Sequence, residues 1–181
     1  MDSLAPEVLD FWFGVDAERG KPHKRWFEKD PTFDAAILER FAKLYESLSS
    51  NDDWLDPAPA CLARILVLDQ FPRNMFRGTP RAFAADPLAL AAAKHALERG
   101  YDRELLPVER TFIYLPFEHS ESLADQEKAL ELFEGNDNYE WALKHWEIIK
   151  RFGRFPHRNA ILGRASTPEE IEFLKQPGSG F

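Results

Sequence analysis

Read for the spacing of its apolar residues, the chain is a succession of helical faces. Phe33, Ile37, Phe41, Leu44 and Leu48 recur at intervals of four, four, three and four, which puts them on one side of a helix. Asp30 and Pro31 stand just ahead of that series, a capping carboxylate and a first-turn proline whose missing N–H costs nothing there. Upstream, Val8, Leu9, Phe11, Trp12 and Phe13 run into Gly14, the pattern of a short apolar helix with a glycine stop, and a second short piece around Lys24 to Glu28 carries Trp26 and Phe27. After the polar, proline-bearing stretch 51–59, residues 60–68 are apolar except for Arg64. So continuous a run suits a buried strand or a buried helix. Its Ala, Leu and Arg content and the lack of a strand partner favour helix, and Pro72 is expected to end it.

The second half reads in the same way. Asp86 as N-cap and Pro87 at the first helical position open an Ala-rich helix that Gly100 closes, and Ala89, Ala92, Ala93 and Ala96 are small enough to admit a neighbouring helix. Pro107 opens a helix bearing Val108, Phe112 and Leu115, which Pro116 is expected to disrupt. Residues Glu118 to Glu121 read as a polar turn, with Ser120 or Ser122 capping a helix that runs through Phe133. A turn at Gly135 to Asn138 leads to a helix from Tyr139 to Phe152, with Trp141, Trp146, Ile149 and Phe152 on a wide apolar face and Gly153 as its stop. Thr167, Pro168 and Glu170 have capping-box spacing ahead of a short last helix. The Gly- and Pro-rich tail from Gln176 is expected to be mobile. The sum is an all-α chain of about eight or nine helices, one domain over residues 1–181, with no alternating strand pattern.

Charge and composition narrow the function classes. Asp and Glu outnumber Lys and Arg by 31 to 23, a net charge of −8, which disfavours a phosphate-backbone binder and an anionic membrane surface. The apolar runs are far shorter than the roughly 20 residues a spanning helix needs. The single cysteine, Cys61, rules out an internal disulfide, and the start at Met1 lacks a basic and then apolar leader, so a cytoplasmic setting is expected. The partners expected are a small anionic molecule or a peptide, with no nucleic acid and no membrane.

Against that acidic background one stretch reverses sign. From Arg151 to Arg164 there are four arginines, His157 and Asn159 around the Phe155-Pro156 turn, and no acidic residue occurs between Ile148 and Pro168. An earlier stretch, Asp69 to Arg77, also reads Phe-Pro followed by Arg73 and Asn74. Guanidinium forks suit carboxylate or phosphate, and asparagine adds an uncharged amide donor. The candidate anion site is therefore Arg73, Asn74, Arg77, Arg81, Arg154, His157, Arg158 and Asn159. The competing reading is structural, with these arginines tying loops together through Asp69, Glu118, Glu121 and Asp125. A second candidate is Glu118, His119, Ser120 and Glu121, residue types fit for acid/base work. No metal-ligand spacing, nucleophile elbow, phosphate loop or cofactor motif accompanies them, so no metal and no cofactor is expected. His145 falls on the face of Trp141, Ile148 and Phe152, where a lone histidine reads as a hydrogen-bonded core residue.

The motifs together carry a resemblance. Leu68 to Asn74, Arg77-Gly78, Ala82 to Ala84, Pro116 to Glu121, Gly153 to Asn159, and Leu162 to Arg164 followed by Ser166-Thr167 are similar to the signature set of an uncharacterised bacterial family, domain of unknown function 924. The resemblance extends from Phe11 to Phe181 and is looser over the first 60 residues. It implies a tetratricopeptide-like array of helix pairs, although no consensus repeat of about 34 residues recurs. It implies no activity, since the family has none assigned and such folds host many. Three readings stay open: a binding protein for a small anion or a peptide carboxylate in a pocket lined by Arg73, Asn74, Arg77, Glu118, His119, Glu121, Arg154, His157, Arg158 and Asn159; a hydrolase-type acid/base enzyme built on the turn from Glu118 to Glu121; and a structural clamp without ligand.

Overall fold

Helix packing begins from the aromatic residues of the first segment. In the computed structural model, which describes residues 4–180, helix α1 (Leu4–Phe13) buries Val8, Leu9, Trp12 and Phe13 and stops at Gly14, whose φ of 79° is the left-handed conformation a glycine adopts without strain. Trp12 stacks against Trp26 at 6.2 Å and meets Phe112 edge-on at 5.7 Å; Phe11 stacks on Phe33 at 5.3 Å. These rings supply much of the buried area of the first part of the chain. Helix α2 (Pro31–Leu48) starts as its sequence indicates: the Asp30 carboxylate accepts from the N–H groups of Thr32 and Phe33, and Phe33, Ile37, Phe41, Leu44 and Leu48 are buried.

The expectation that Pro72 ends the next helix is not met. Helix α3 (Ala58–Ile65) passes through one π-helical stretch, Leu66–Gln70, into α4 (Phe71–Met75). The wider turn lets the Phe71 N–H reach back to the Leu66 carbonyl, five residues away, and so makes room for a proline that would clash with the carbonyl four residues before it. Leu62, Ile65, Leu66, Val67, Leu68 and Phe71 are fully buried along this stretch, so packing holds the backbone through a bulge that propensity alone would not select.

Helix α5 (Asp86–Arg99) packs on α3 through Ala89, Ala92, Ala93 and Ala96, all buried. The approach is close enough for the Cys61 thiol to lie 3.6 Å from the Ala92 carbonyl oxygen. Gly100 closes the helix at a φ of 74°. The N-cap position is Ala85, one residue before the expected Asp86, whose carboxylate is drawn to Arg73 instead. Helix α6 (Pro107–Glu118) contains Pro116. The disruption expected there does not occur, because the proline sits in the last turn and forfeits one backbone bond, while Phe112, Ile113, Leu115 and Phe117 are all buried.

Helices α7 (Leu123–Phe133) and α8 (Tyr139–Phe152) form a hairpin across a turn at 134–138. They bury Ala129, Phe133 and Ala142, and the C-terminal half of α8 contributes Ile148 and Ile149 to a small core with Phe155, flanked by Phe152 and Phe173. Helix α9 (Pro168–Leu174) opens on a complete capping box between Thr167 and Glu170. The expected apolar face of α8 needs one correction: Trp141 is 52% exposed, and His145 takes the buried position at that level. Among the described residues the secondary structure is entirely helical, and the class is all-α. The chain divides into two compact units, one holding residues up to Arg77 and Arg81–Pro116, the other Gly78–Pro80 and residues from Phe117 onward.

Candidate functional site

The two Phe-Pro turns fall in different units, and their arginines have different neighbours. In the first unit, Arg73 forms a two-pronged pair with Asp86, Nη1 to Oδ1 at 2.9 Å and Nη2 to Oδ2 at 3.0 Å, and also donates to the Asp69 carbonyl in the π-helical stretch. The Asp69 carboxylate lies 3.4 Å from the same guanidinium. Burial alone would lower the pKa of Arg73, but Asp69 and Asp86 outweigh it and raise it. Arg77 forks onto Asp34 of α2 with both contacts at 3.0 Å, and the Asn74 amide donates to the same carboxylate at 2.7 Å. Arg81 pairs with Glu46 while lying over the Phe76 ring. All three forks of this turn are therefore turned onto carboxylates of the protein itself. Only Asp69 among these partners was legible next to the motif; Asp34, Asp86 and Glu46 reach it through the packing of α2 and α5.

In the second unit the turn is braced before any ligand is considered. Arg164 grips Glu121 with both Nη atoms, at 2.7 and 2.9 Å, and also donates to the Phe155 carbonyl and the Asn159 amide oxygen. Glu121 accepts the Phe155 N–H at 2.8 Å as well. Burial works to raise this carboxyl, but the Arg164 and Phe155 hydrogen bonds and the charges of Arg164 and Arg158 hold it below the ordinary range. Glu170, 2% exposed, accepts from Arg154 at both oxygens, from Asn159 at 3.2 Å and from the Thr167 N–H at 2.7 Å. Its pKa lies at about 2, lowered first by the Arg154 hydrogen bond, which outweighs the cost of burial. Arg164 and Glu170 are the parts that pattern reading passed over: one lay inside the basic stretch without a stated role, and the other was legible only as a capping residue.

Inside this brace sits a buried set of chemically competent groups. Glu118, at the end of α6, is 3% exposed, and its Oε1 lies 3.0 Å from His145 Nδ1. That nitrogen is also 2.8 Å from the Trp141 carbonyl oxygen, so with two acceptors facing it Nδ1 carries the proton and donates. Burial lowers the pKa of the ring, the hydrogen bond to the Trp141 carbonyl opposes that only in part, and the charges of His119, Arg158 and His157 add to the lowering, leaving His145 at about 3. The His119 ring stands 6.5 Å from that of His145, Phe155 packs edge-on against His145 and beside His157, and the Arg158 guanidinium lies 4.5 Å above Phe155 while donating to the His119 carbonyl. The backbone that presents Glu118 and His119 is held by Gln126 of α7, whose amide nitrogen donates to the carbonyls of Glu118 at 2.6 Å and Ser120 at 2.7 Å. Glu118, His119, Glu121, Arg154, His157, Arg158 and Asn159 are thus brought together within one unit, whereas Arg73, Asn74 and Arg77 belong to the other.

Chemically, the set combines an oriented carboxylate and histidine pair with a guanidinium and two further imidazoles. Ser120 is not poised as a nucleophile: its hydroxyl donates to Asp125 at 2.8 Å and accepts the Ser122 N–H, which is turn bonding, while Ser122 holds the cap position of α7 without a side-chain cap bond. A base at about 3 is poorly matched to neutral proton transfer. Among the described residues no group of three or more His, Cys, Asp or Glu side chains is arranged to hold a metal ion, and no helix is long and apolar enough to cross a membrane.

Comparison with known proteins agrees on fold and supplies no activity. The profile of a family described as bacterial protein of unknown function, DUF924, matches residues 8–178. A solved structure of a protein of unknown function from Agrobacterium tumefaciens is 42% identical to the chain, with a TM-score of 0.88, covering 96% of this chain and 98% of that one. Nothing among curated proteins matches.

Proposed function

The chain belongs to the DUF924 family of bacterial proteins of unknown function, and on that footing we propose that it is a binding protein for a small anion, a carboxylate or phosphate group, whose site lies in the second compact unit. The ligand-facing groups in this reading are His119, His157 and Arg158 beside Glu118. Glu121, Arg154 and Asn159 brace them, and Arg73, Asn74 and Arg77 serve as a clamp in the first unit. The observation that carries the reading is the clustering of His119, His157 and Arg158 about His145 and Phe155: the His119 ring is 6.5 Å from that of His145, and His157 and the Arg158 guanidinium lie 5.7 and 4.5 Å from the Phe155 ring, which itself packs on His145. Such a spot in an acidic protein favours an anion and penalises a cation.

A second reading, the structural clamp, is favoured by the carboxylate partners of Arg73, Arg77, Arg154 and Arg164. The acid/base enzyme has the Glu118 and His145 pair in its favour and the low pKa of His145 against it. Thermal melting in rising phosphate or acetate, at constant ionic strength, separates them. Anion binding predicts a concentration-dependent rise in Tm for the native chain that His157→Gln reduces and Arg77→Gln leaves in place. The clamp predicts no anion-dependent rise and a lower Tm for Arg154→Ala whatever the anion. A rise undiminished in a His119→Gln, His157→Gln double variant would sink the proposed site.

A further inference from the structure

The first compact unit carries a concave feature, unrelated to the arginine turns. A groove of about 560 Å³ is lined by Leu9, Trp54, Pro57 and Ala60, with Asp53, Asp56 and Arg19 also in its wall. That volume suits a small organic molecule. One wall is held in a conformation that ordinary loop packing does not select. Trp54 has a φ of 67°, the left-handed region, where a bulky side chain is an outlier that persists only when its surroundings over-determine it. The surroundings do so here. Arg64, 2% exposed, reaches from α3 under the loop and donates to the carbonyls of Asn51 and Asp53, each at 2.8 Å, while the Asp53 N–H is bonded to the Asn51 side chain. The far side of the loop is tied by Tyr101, whose hydroxyl donates to Asp56.

The charges around the groove decide what it takes. Arg19 is matched twice, by Glu109 at 2.9 Å and Asp10 at 3.6 Å. Asp56 is matched by Arg99 at 3.5 Å, with His95 at 3.4 Å. Asp52 lies 3.7 Å from Arg64. Asp53 is an exposed carboxylate of the lining that makes no close ion pair or side-chain hydrogen bond among the described residues, although its charge, with that of Asp52, acts on Arg64 beneath the loop. Arg64 offsets only one of the two carboxylates, Asp52 and Asp53, that face it, and an apolar wall with an indole and an exposed acidic edge is complementary to a cation on an apolar body. We infer that this groove binds a small organic ammonium compound, with its charge at Asp53 and its hydrocarbon part along Leu9, Trp54 and Ala60.

The test is a titration of the full chain, followed by NMR, with hexylammonium, hexanoate and hexanol, three probes of one length that differ in charge. Hexylammonium is expected to shift the Trp54 indole and Leu9 methyl signals in a saturable way, and Asp53→Asn to weaken it about fivefold, the effect of one partly exposed ion pair. Ala60→Phe, which fills the groove, is expected to abolish the response. His157→Gln is expected to leave it intact, so that the anion site and this groove fail or stand separately. Equal binding of hexanoate, binding of hexylammonium that Asp53→Asn does not change, or no response at Trp54 and Leu9 overturns the inference. Should Ala60→Phe melt below the native chain, Asp53→Asn, which changes an exposed side chain, decides alone.

Discussion

At the scale of single residues, two buried titratable groups give the protein a defined acid response. Glu170 has its pKa lowered from 4.5 to about 2, so its charged form is favoured by folding. Its contribution is fully present above about pH 4.5 and is lost as pH falls from there toward 2. His145 has its pKa lowered from 6.5 to about 3, so the fold favours the neutral ring. That preference costs stability as pH falls through 6.5 toward 3, because the unfolded chain then binds a proton that the folded one refuses. The two windows overlap only below about pH 4.5. Urea midpoints measured across pH should therefore show Glu170→Gln flattening the decline below pH 4.5, and His145→Gln flattening it already between pH 6.5 and 4.5. A His145→Gln profile parallel to the native one throughout would mean that the imidazole does not enter the fold uncharged. Its spacing marked His145 as a hydrogen-bonded core residue, which it is, but did not show its carboxylate partner. Glu118, which comes from a different helix, gives it a partner, and only folding brings the two to 3.0 Å.

At the scale of elements, most starts and stops followed local chemistry, the expected caps of α5 and α7 excepted, while continuity through proline did not. The Asp30 cap, the Thr167 capping box and the stops at Gly14, Gly100 and Gly153 stand where side-chain hydrogen bonding and left-handed backbone put them. These are interactions within a few residues, and a sequence carries them whole. Pro72 and Pro116 were expected to interrupt helices, but each is passed over, one by a π-helical stretch and the other within a last turn. The force that overrides them is the burial of neighbouring Leu66, Leu68, Phe71, Phe112 and Phe117, which no local signal weighs. The alanine face of α5 was legible as permission for a close approach, and its partner α3 was not. That contact sets a prediction: Ala92→Leu forces extra methylenes between α5 and α3 and should destabilise the protein by about 1–3 kcal/mol in chemical denaturation. The same change at the exposed position Ala91 should be near neutral.

At the scale of the whole molecule, net charge and the pairing of arginines set what the surface offers. A net charge of −8 and arginines turned onto internal carboxylates predict no retention of duplex DNA in a mobility-shift assay near physiological salt. Retention there would point to a basic face that the internal pairing does not suggest. The all-α class, the positions of most helices and the two arginine-bearing turns were determined by the sequence itself, because helical period, caps and glycine stops act over a turn or two of chain. The tertiary structure alone decided what each arginine faces. Arg77 is matched by Asp34, 43 residues away, Arg164 by Glu121, also 43 away, and His145 by Glu118. Two turns that look alike as sequence thus part company: one is saturated by the carboxylates of neighbouring helices, and the other is braced around a buried histidine. Ion pairing acts through space, between groups brought together by the burial of apolar faces, and a linear pattern of residue types does not contain those distances.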